Sequence, residues 1–206
     1  MAQALSRGQN IRGMSVGLLG GSFNPAHEGH LHVARECLRA LKLDRIWFLV
    51  SPQNPLKPAK GMAPFTERLA QTRTLVKARG DKRISVSDFE TRAGTTRTVD
   101  TLAALQHAYP HIRFVWLMGS DNMCQFPRWA NWRTIAASVP IAVYPRPGSA
   151  LKARLSPAAQ YLRSVTITPS DAALLAHLTA PALVFLDGRE HSASSTAIRD
   201  ARVTKA

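Results

Sequence analysis

A chain of 206 residues, 45% hydrophobic and 19% charged, is long and apolar enough for one sizeable α/β domain with a real core. Its 27 Lys+Arg against 13 Asp+Glu give a formal net charge of +14, which points to anionic partners, either nucleic acid or phosphorylated small molecules. No apolar run is long enough to span a membrane, and two cysteines outside any CxxC spacing exclude a disulfide framework and a cysteine-based metal site. A soluble, cytoplasmic protein is expected.

Residues 1–15 carry Arg7 and Arg12 but no apolar stretch of the secretory kind, and read as a loose, flexible N-terminal extension to a domain spanning 16–206. Val16–Gly20 is a short apolar strand. It runs through a glycine turn into a helix from about Gly29 to Leu41, where Leu31, Ala34, Leu38 and Leu41 recur at helical spacing. Arg45–Val50 is the unbroken apolar run of a strand buried on both faces, so the three elements make a right-handed βαβ unit.

Ser51 to Pro64, with four prolines and with Lys57 and Lys60, reads as a long functional loop at the carboxyl end of that strand. A helix over Thr66–Ala78, a strand over Ile84–Phe89 and a helix over Thr98–Tyr109 follow. Strands over Arg113–Met118 and Ile141–Tyr144 come next. Residues 149–165 read as a surface excursion, Ala182–Leu186 as the last strand, and Ser194–Arg199 as the capped start of a short C-terminal helix. Alternating strands and helices predict a single doubly wound, Rossmann-like α/β domain with a mostly parallel sheet.

The chemistry concentrates in Gly20-Gly21-Ser22-Phe23-Asn24-Pro25-Ala26-His27-Glu28-Gly29-His30. Strand, glycine turn and helix start together offer free backbone N–H groups and a helix dipole to an anion. Taken alone, two histidines at a helix start read as exposed capping residues. The spacing is not HExxH, and neither GxxxxGK[ST] nor GxGxxG is present. Gly29 invites a reading in which the absent side chain lets a phosphate approach the backbone.

This stretch resembles the HxGH signature of the nucleotidyltransferase superfamily, and the bacterial nicotinate-nucleotide adenylyltransferases in particular. Gly119-Ser120-Asp121 with Phe126-Pro127-Arg128-Trp129, then Arg146-Pro147-Gly148, then Ser194-Ser195-Thr196-Ala197-Ile198-Arg199 are similar to that family's remaining motifs. Asn24 stands where the family often has aspartate, and Arg97 precedes Thr98 where relatives commonly have tyrosine.

The resemblance implies transfer of the adenylyl group of ATP to nicotinate mononucleotide, with release of pyrophosphate. It implies that His27, His30 and Arg199 are catalytic, and that Gly20, Gly21, Ser22, Phe23, Ser194, Ser195 and Thr196 join them around ATP. Lys57, Thr98, Asp121, Trp129 and Arg146 would meet the mononucleotide. Mg2+ is expected to arrive on the ATP phosphates, with no dedicated protein ligands. Two rivals stay open: another HxGH enzyme such as a pantetheine-phosphate adenylyltransferase, and a basic RNA-binding protein built on a nucleotide fold.

Overall fold

The computed structural model describes residues 12–53 and 61–203. Its first unit is β1 (Ser15–Gly21), α1 (Glu28–Ala40) and β2 (Arg45–Val50), followed by α2 (Phe65–Arg79) and β3 (Ile84–Ser87). Two helices, α3 (Phe89–Ala93) and α4 (Thr98–Ala108), lead to β4 (Arg113–Gly119). After α5 (Ser120–Gln125), a 3-10 turn over Phe126–Arg128 and α6 (Trp132–Ser138), the chain enters β5 (Ile141–Tyr144). It then forms α7 (Ala150–Arg154), α8 (Pro157–Tyr161), β6 (Thr166–Ile167), β7 (Leu183–Phe185) and α9 (Ser195–Val203).

The strands form one sheet in the order β3-β2-β1-β4-β5-β7-β6, and every pairing is parallel. Strands buried on both faces explain the unbroken apolar runs of β2 and β4. Within β4, Phe114, Trp116 and Met118 pack into one core layer, while Val115 and Leu117 pack into the other, as the two-residue period of a strand requires. On the second face α1 buries Leu31, Ala34 and Leu38, the helical stripe read from the sequence.

From β1 the chain adds strands toward β3 on one side and, from β4 onward, toward β6 on the other. The carboxyl ends of β1 and β4 therefore flank the point where the strand order reverses, where open α/β sheets leave a crevice for ligands.

Three expectations need correction. β3 ends at Ser87, because the Ser87 hydroxyl accepts the Phe89 N–H (3.2 Å) and turns the chain into α3. Residues 149–165 are not a loose excursion: they contain α7 and α8, with Ser156 capping α8 through the Ala159 N–H (3.3 Å) and with Ala153, Ala158, Ala159 and Leu162 in the core. The first strand starts one residue earlier than expected, at Ser15, and the Gly13 N–H before it donates to the His111 carbonyl (2.8 Å). Residues 1–11 lie outside the described residues.

Candidate active site

The turn after β1 is held in a demanding conformation. Phe23 sits at φ +48°, a left-handed geometry that costs a non-glycine residue on the order of 1–3 kcal/mol. Burial offsets that cost, because the Phe23 ring is 2% exposed and stacks on Phe48 at 5.1 Å. Withdrawing such a ring from water contributes about 2–3 kcal/mol. The turn is thus held open by its own side chain, with its backbone toward the crevice.

His27 is the N-cap of α1. Its Nδ1 accepts the Gly29 N–H (3.1 Å), and the Nδ1 of His30 accepts the His27 N–H (3.2 Å). The two rings lie 3.9 Å apart. With its Nδ1 accepting, the neutral His27 ring carries its proton on Nε2, which gives it one N–H donor to offer a ligand. Burial, and then the positive charges of Arg146 and His191, push the His27 pKa down to about 4, which keeps it neutral at physiological pH.

Gly29 has a different reason to be glycine from the one the sequence suggested. A Cβ there would lie 2.9 Å from the His27 ring and 3.1 Å from the Ala193 carbonyl oxygen. The missing side chain admits the folded histidine and the returning C-terminal segment. It is a packing requirement.

That return is made by a strap between β7 and α9. The Tyr144 hydroxyl donates to the Arg189 carbonyl (3.0 Å), and His32 Nε2 stands 2.7 Å from the same oxygen. The Ser195 hydroxyl then donates to the Pro25 carbonyl (3.0 Å), and the Arg199 guanidinium to the Asn24 carbonyl (2.6 Å) and to Thr196 Oγ1 (3.2 Å). Ser194 caps α9 by accepting the Ala197 N–H (3.1 Å). The two terminal motifs are in direct contact.

A cleft of about 420 Å³ lies between them, lined by Gly20–Asn24, His27, His30, Asp121, Arg146, Ser194–Thr196 and Arg199. A second, of about 380 Å³, lies beside it and shares Gly20, Gly21, Ser22 and Asn122. Its other walls come from Ser51, Glu90, Thr96–Thr98, Trp116 and Arg128–Ala130. The glycine turn is the common floor of both.

The structure brings together every ATP-side residue read from the sequence. Thr98 and Trp129 line the second cleft, and Trp129 stands edge-on to Trp116 and Phe126. Asp121 and Arg146, read as mononucleotide contacts, line the first cleft instead, because Gly119 at the end of β4 leaves room for both side chains to lie over it. Lys57 lies outside the described residues.

Sequence reasoning missed Glu90, Arg97, Trp116 and Arg128 in the second cleft, and Arg68 behind it. Arg68 is 1% exposed and donates to the carbonyls of Ser22 (2.6 Å), Ser51 (2.8 Å), Pro52 (2.8 Å) and Ala63 (2.9 Å), tying the glycine turn to the loop after β2. Asn24 works beside it: its amide donates to the Gly61 carbonyl (3.1 Å) and accepts the Ala63 N–H (3.3 Å). An ionised aspartate could accept but not donate, which gives the asparagine at this position a physical role.

Residues 18–201 match the cytidylyltransferase-like family. The probable nicotinate-nucleotide adenylyltransferase of Parvibaculum lavamentivorans is 66% identical over 91% of this chain and 92% of its own. That of Gluconobacter oxydans is 49% identical over 91% and 94%. Among solved structures, the Plasmodium falciparum nicotinic acid mononucleotide adenylyltransferase complexed with NaAD superposes with a TM-score of 0.68 at 18% identity, covering 91% of this chain and 83% of that one, a likeness of fold. The chain belongs to the cytidylyltransferase-like family, among its nicotinate-nucleotide adenylyltransferases.

Proposed function

We propose that this protein transfers the adenylyl group of ATP to nicotinate mononucleotide, giving nicotinate adenine dinucleotide and pyrophosphate. The observation that carries the reading is the pair of clefts sharing the Gly20–Ser22 floor, one between the two histidines and Arg199 and the other against Trp129. Two nucleotides bound in them would bring their phosphates to one turn. The names of its relatives support the same pair of substrates.

In the reaction an oxygen of the mononucleotide phosphate attacks the α-phosphorus of ATP, a new P–O bond forms, and the bond to the β-phosphate oxygen breaks. The attacking phosphate, with a second pKa near ~6, is largely dianionic at neutral pH and needs no general base. Catalysis is then alignment and charge stabilisation. His27 and His30 donate from Nε2 to phosphoryl oxygens. The protonation of His27 never has to change, which suits a buried ring whose pKa has fallen to about 4.

Arg146 and Arg199 meet the growing charge on pyrophosphate, and Ser194, Ser195 and Thr196 hold the phosphate chain. Trp129 offers a flat face to the nicotinate ring. Arg97, Thr98 and Arg128 meet the anionic groups of the mononucleotide.

Mg2+ would supply further neutralisation of the ATP phosphates. Asp121, the one carboxylate among the described residues lining the first cleft, suits an ion held mainly through phosphate oxygens and water, since Mg2+ dehydrates reluctantly. Among the described residues no group of three His, Cys, Asp or Glu could hold a metal. No helix there is long and apolar enough to cross a membrane. The free thiols of Cys37 and Cys124 support placing the enzyme in the cytoplasm.

The test is pyrophosphate release by purified protein with ATP, Mg2+ and either nicotinate mononucleotide, nicotinamide mononucleotide or phosphopantetheine. Release is expected with the first and not with phosphopantetheine. The opposite pattern overturns the reading in favour of another HxGH enzyme.

A further inference from the structure

The second cleft contains a buried acid that the proposed chemistry leaves unused. Glu90 lies in the first turn of α3, which follows β3, and is 6% exposed. Its carboxyl group meets the side chains of Ser51 and Thr101, and burial raises its pKa above the usual carboxylate range. Its Oε2 has no hydrogen-bond partner. A buried acceptor left in that state costs on the order of 1–3 kcal/mol of desolvation, so a protein keeps one where something else supplies the bond.

Two other unpartnered buried atoms line the same cleft, Ser22 Oγ and Trp116 Nε1. With Arg97 and Arg128 they make a wall of donors around one carboxylate, since Glu90 is the only acidic residue among the described residues lining the cleft. That distribution can be matched to the parts of a pyridine mononucleotide. Its phosphate and its ring carboxylate only accept hydrogen bonds and suit the donors. Its ribose hydroxyls alone can donate.

The acid that the sequence offered for the ribose, Asp121, lies in the other cleft. We propose that Glu90 is a substrate-binding residue, its unpartnered oxygen accepting hydrogen bonds from the ribose hydroxyls of the nucleotide held in the second cleft. This rests on nicotinate mononucleotide being the nucleotide bound there. A hydroxyl is a good partner for such an acid, because it can donate to a carboxylate and can also accept from a carboxyl group. An ionised Glu90 facing the nicotinate carboxylate would instead repel it.

The experiment compares nicotinate mononucleotide with its 2′-deoxy and 3′-deoxy analogues, using wild-type enzyme and Glu90→Leu, with pyrophosphate release as the readout. In wild type, removing the contacted hydroxyl should raise KM about tenfold, as expected for a hydrogen bond to a charged group. Glu90→Leu should raise KM for the parent mononucleotide about as much, leave KM for ATP unchanged, and take the deoxy analogue no worse than the parent. A merely structural Glu90 would leave the deoxy penalty intact in the variant, and that result overturns the proposal.

Should Glu90→Leu fail to fold, the wild-type arm decides: equal use of the parent and both deoxy analogues sinks the ribose contact. Wild-type enzyme that turns over no nicotinate mononucleotide at all removes the assigned function, and this contact with it. Turnover of the parent with no deoxy penalty removes the Glu90 contact alone.

Discussion

The two clefts share a floor but are built differently. The first is a clamp made from the two ends of the domain, the Gly20–His30 turn and the Ser194–Arg199 segment, joined by hydrogen bonds from Ser195 and Arg199 to the carbonyls of Pro25 and Asn24. The second is assembled from loops in the middle of the chain, after β2, before α4 and after α5. On the proposed reading, the clamp's backbone N–H groups, histidines and arginines would suit any nucleoside triphosphate, and the loops would supply the shape and polarity that choose a partner for it. On that reading, reaction and selectivity lie largely on separate segments: Asp121 and Arg146 reach into the first cleft from the middle of the chain, and among the described residues Gly20, Gly21, Ser22 and Asn122 line both clefts.

The largest effect that can break this division is expected at His30. His30→Ala removes a donor aimed at developing phosphoryl charge and should lower kcat by about two orders of magnitude. KM for the mononucleotide should change little. Steady-state kinetics with each substrate varied in turn checks this, and an intact melting transition shows that the fold survives.

Gly29→Ala should come next. Its Cβ would press on the His27 ring and on the Ala193 carbonyl, so the clamp must shift by several tenths of an ångström. A loss of about tenfold in kcat is expected from the misalignment, again with mononucleotide KM spared. An effect on mononucleotide binding alone would contradict the packing role given to Gly29.

The smallest effect is on stability against pH. The His27 pKa is about 4 in the folded protein and near 6.5 unfolded, so the unfolded chain binds more protons between those values. The contribution of neutral His27 is complete above pH 6.5 and is lost as pH falls toward 4, by at most about 3 kcal/mol. Denaturant titrations of wild type and His27→Asn should show a shallower decline in the variant over that window. Parallel curves would mean that His27 is not held neutral by its surroundings.

The same division governed what could be read from the chain. β1, β2, β4 and β5 announce themselves as apolar runs, and the clamp residues stand in two compact motifs whose spacing carries the chemistry. The second cleft has no such signature. Glu90 lies in Phe89-Glu90-Thr91-Arg92, where its neighbours Thr91 and Arg92 are exposed, so it reads as one more charge on a short helix.

Its hydrogen-bond partners Ser51 and Thr101 are brought to it only by the fold. Arg68 stands between the exposed Glu67 and the buried Leu69, and only the folded chain sets four carbonyls around its guanidinium. The position of Asp121 at a strand end could be read, but not that it faces the first cleft. In and just after α7, Leu151 and Leu155 are 70% and 66% exposed while Ala153 is buried, the reverse of the pattern that reveals an amphipathic helix.

The most direct test of the division is equilibrium titration of ATP and of nicotinate mononucleotide, each alone, against wild type, Arg199→Ala and Trp129→Ala. Arg199→Ala should weaken ATP about tenfold or more through the lost charge-assisted contact while leaving the mononucleotide unchanged, and Trp129→Ala should do the converse. If either variant weakens both ligands alike, the two clefts are not separate sites for the two substrates.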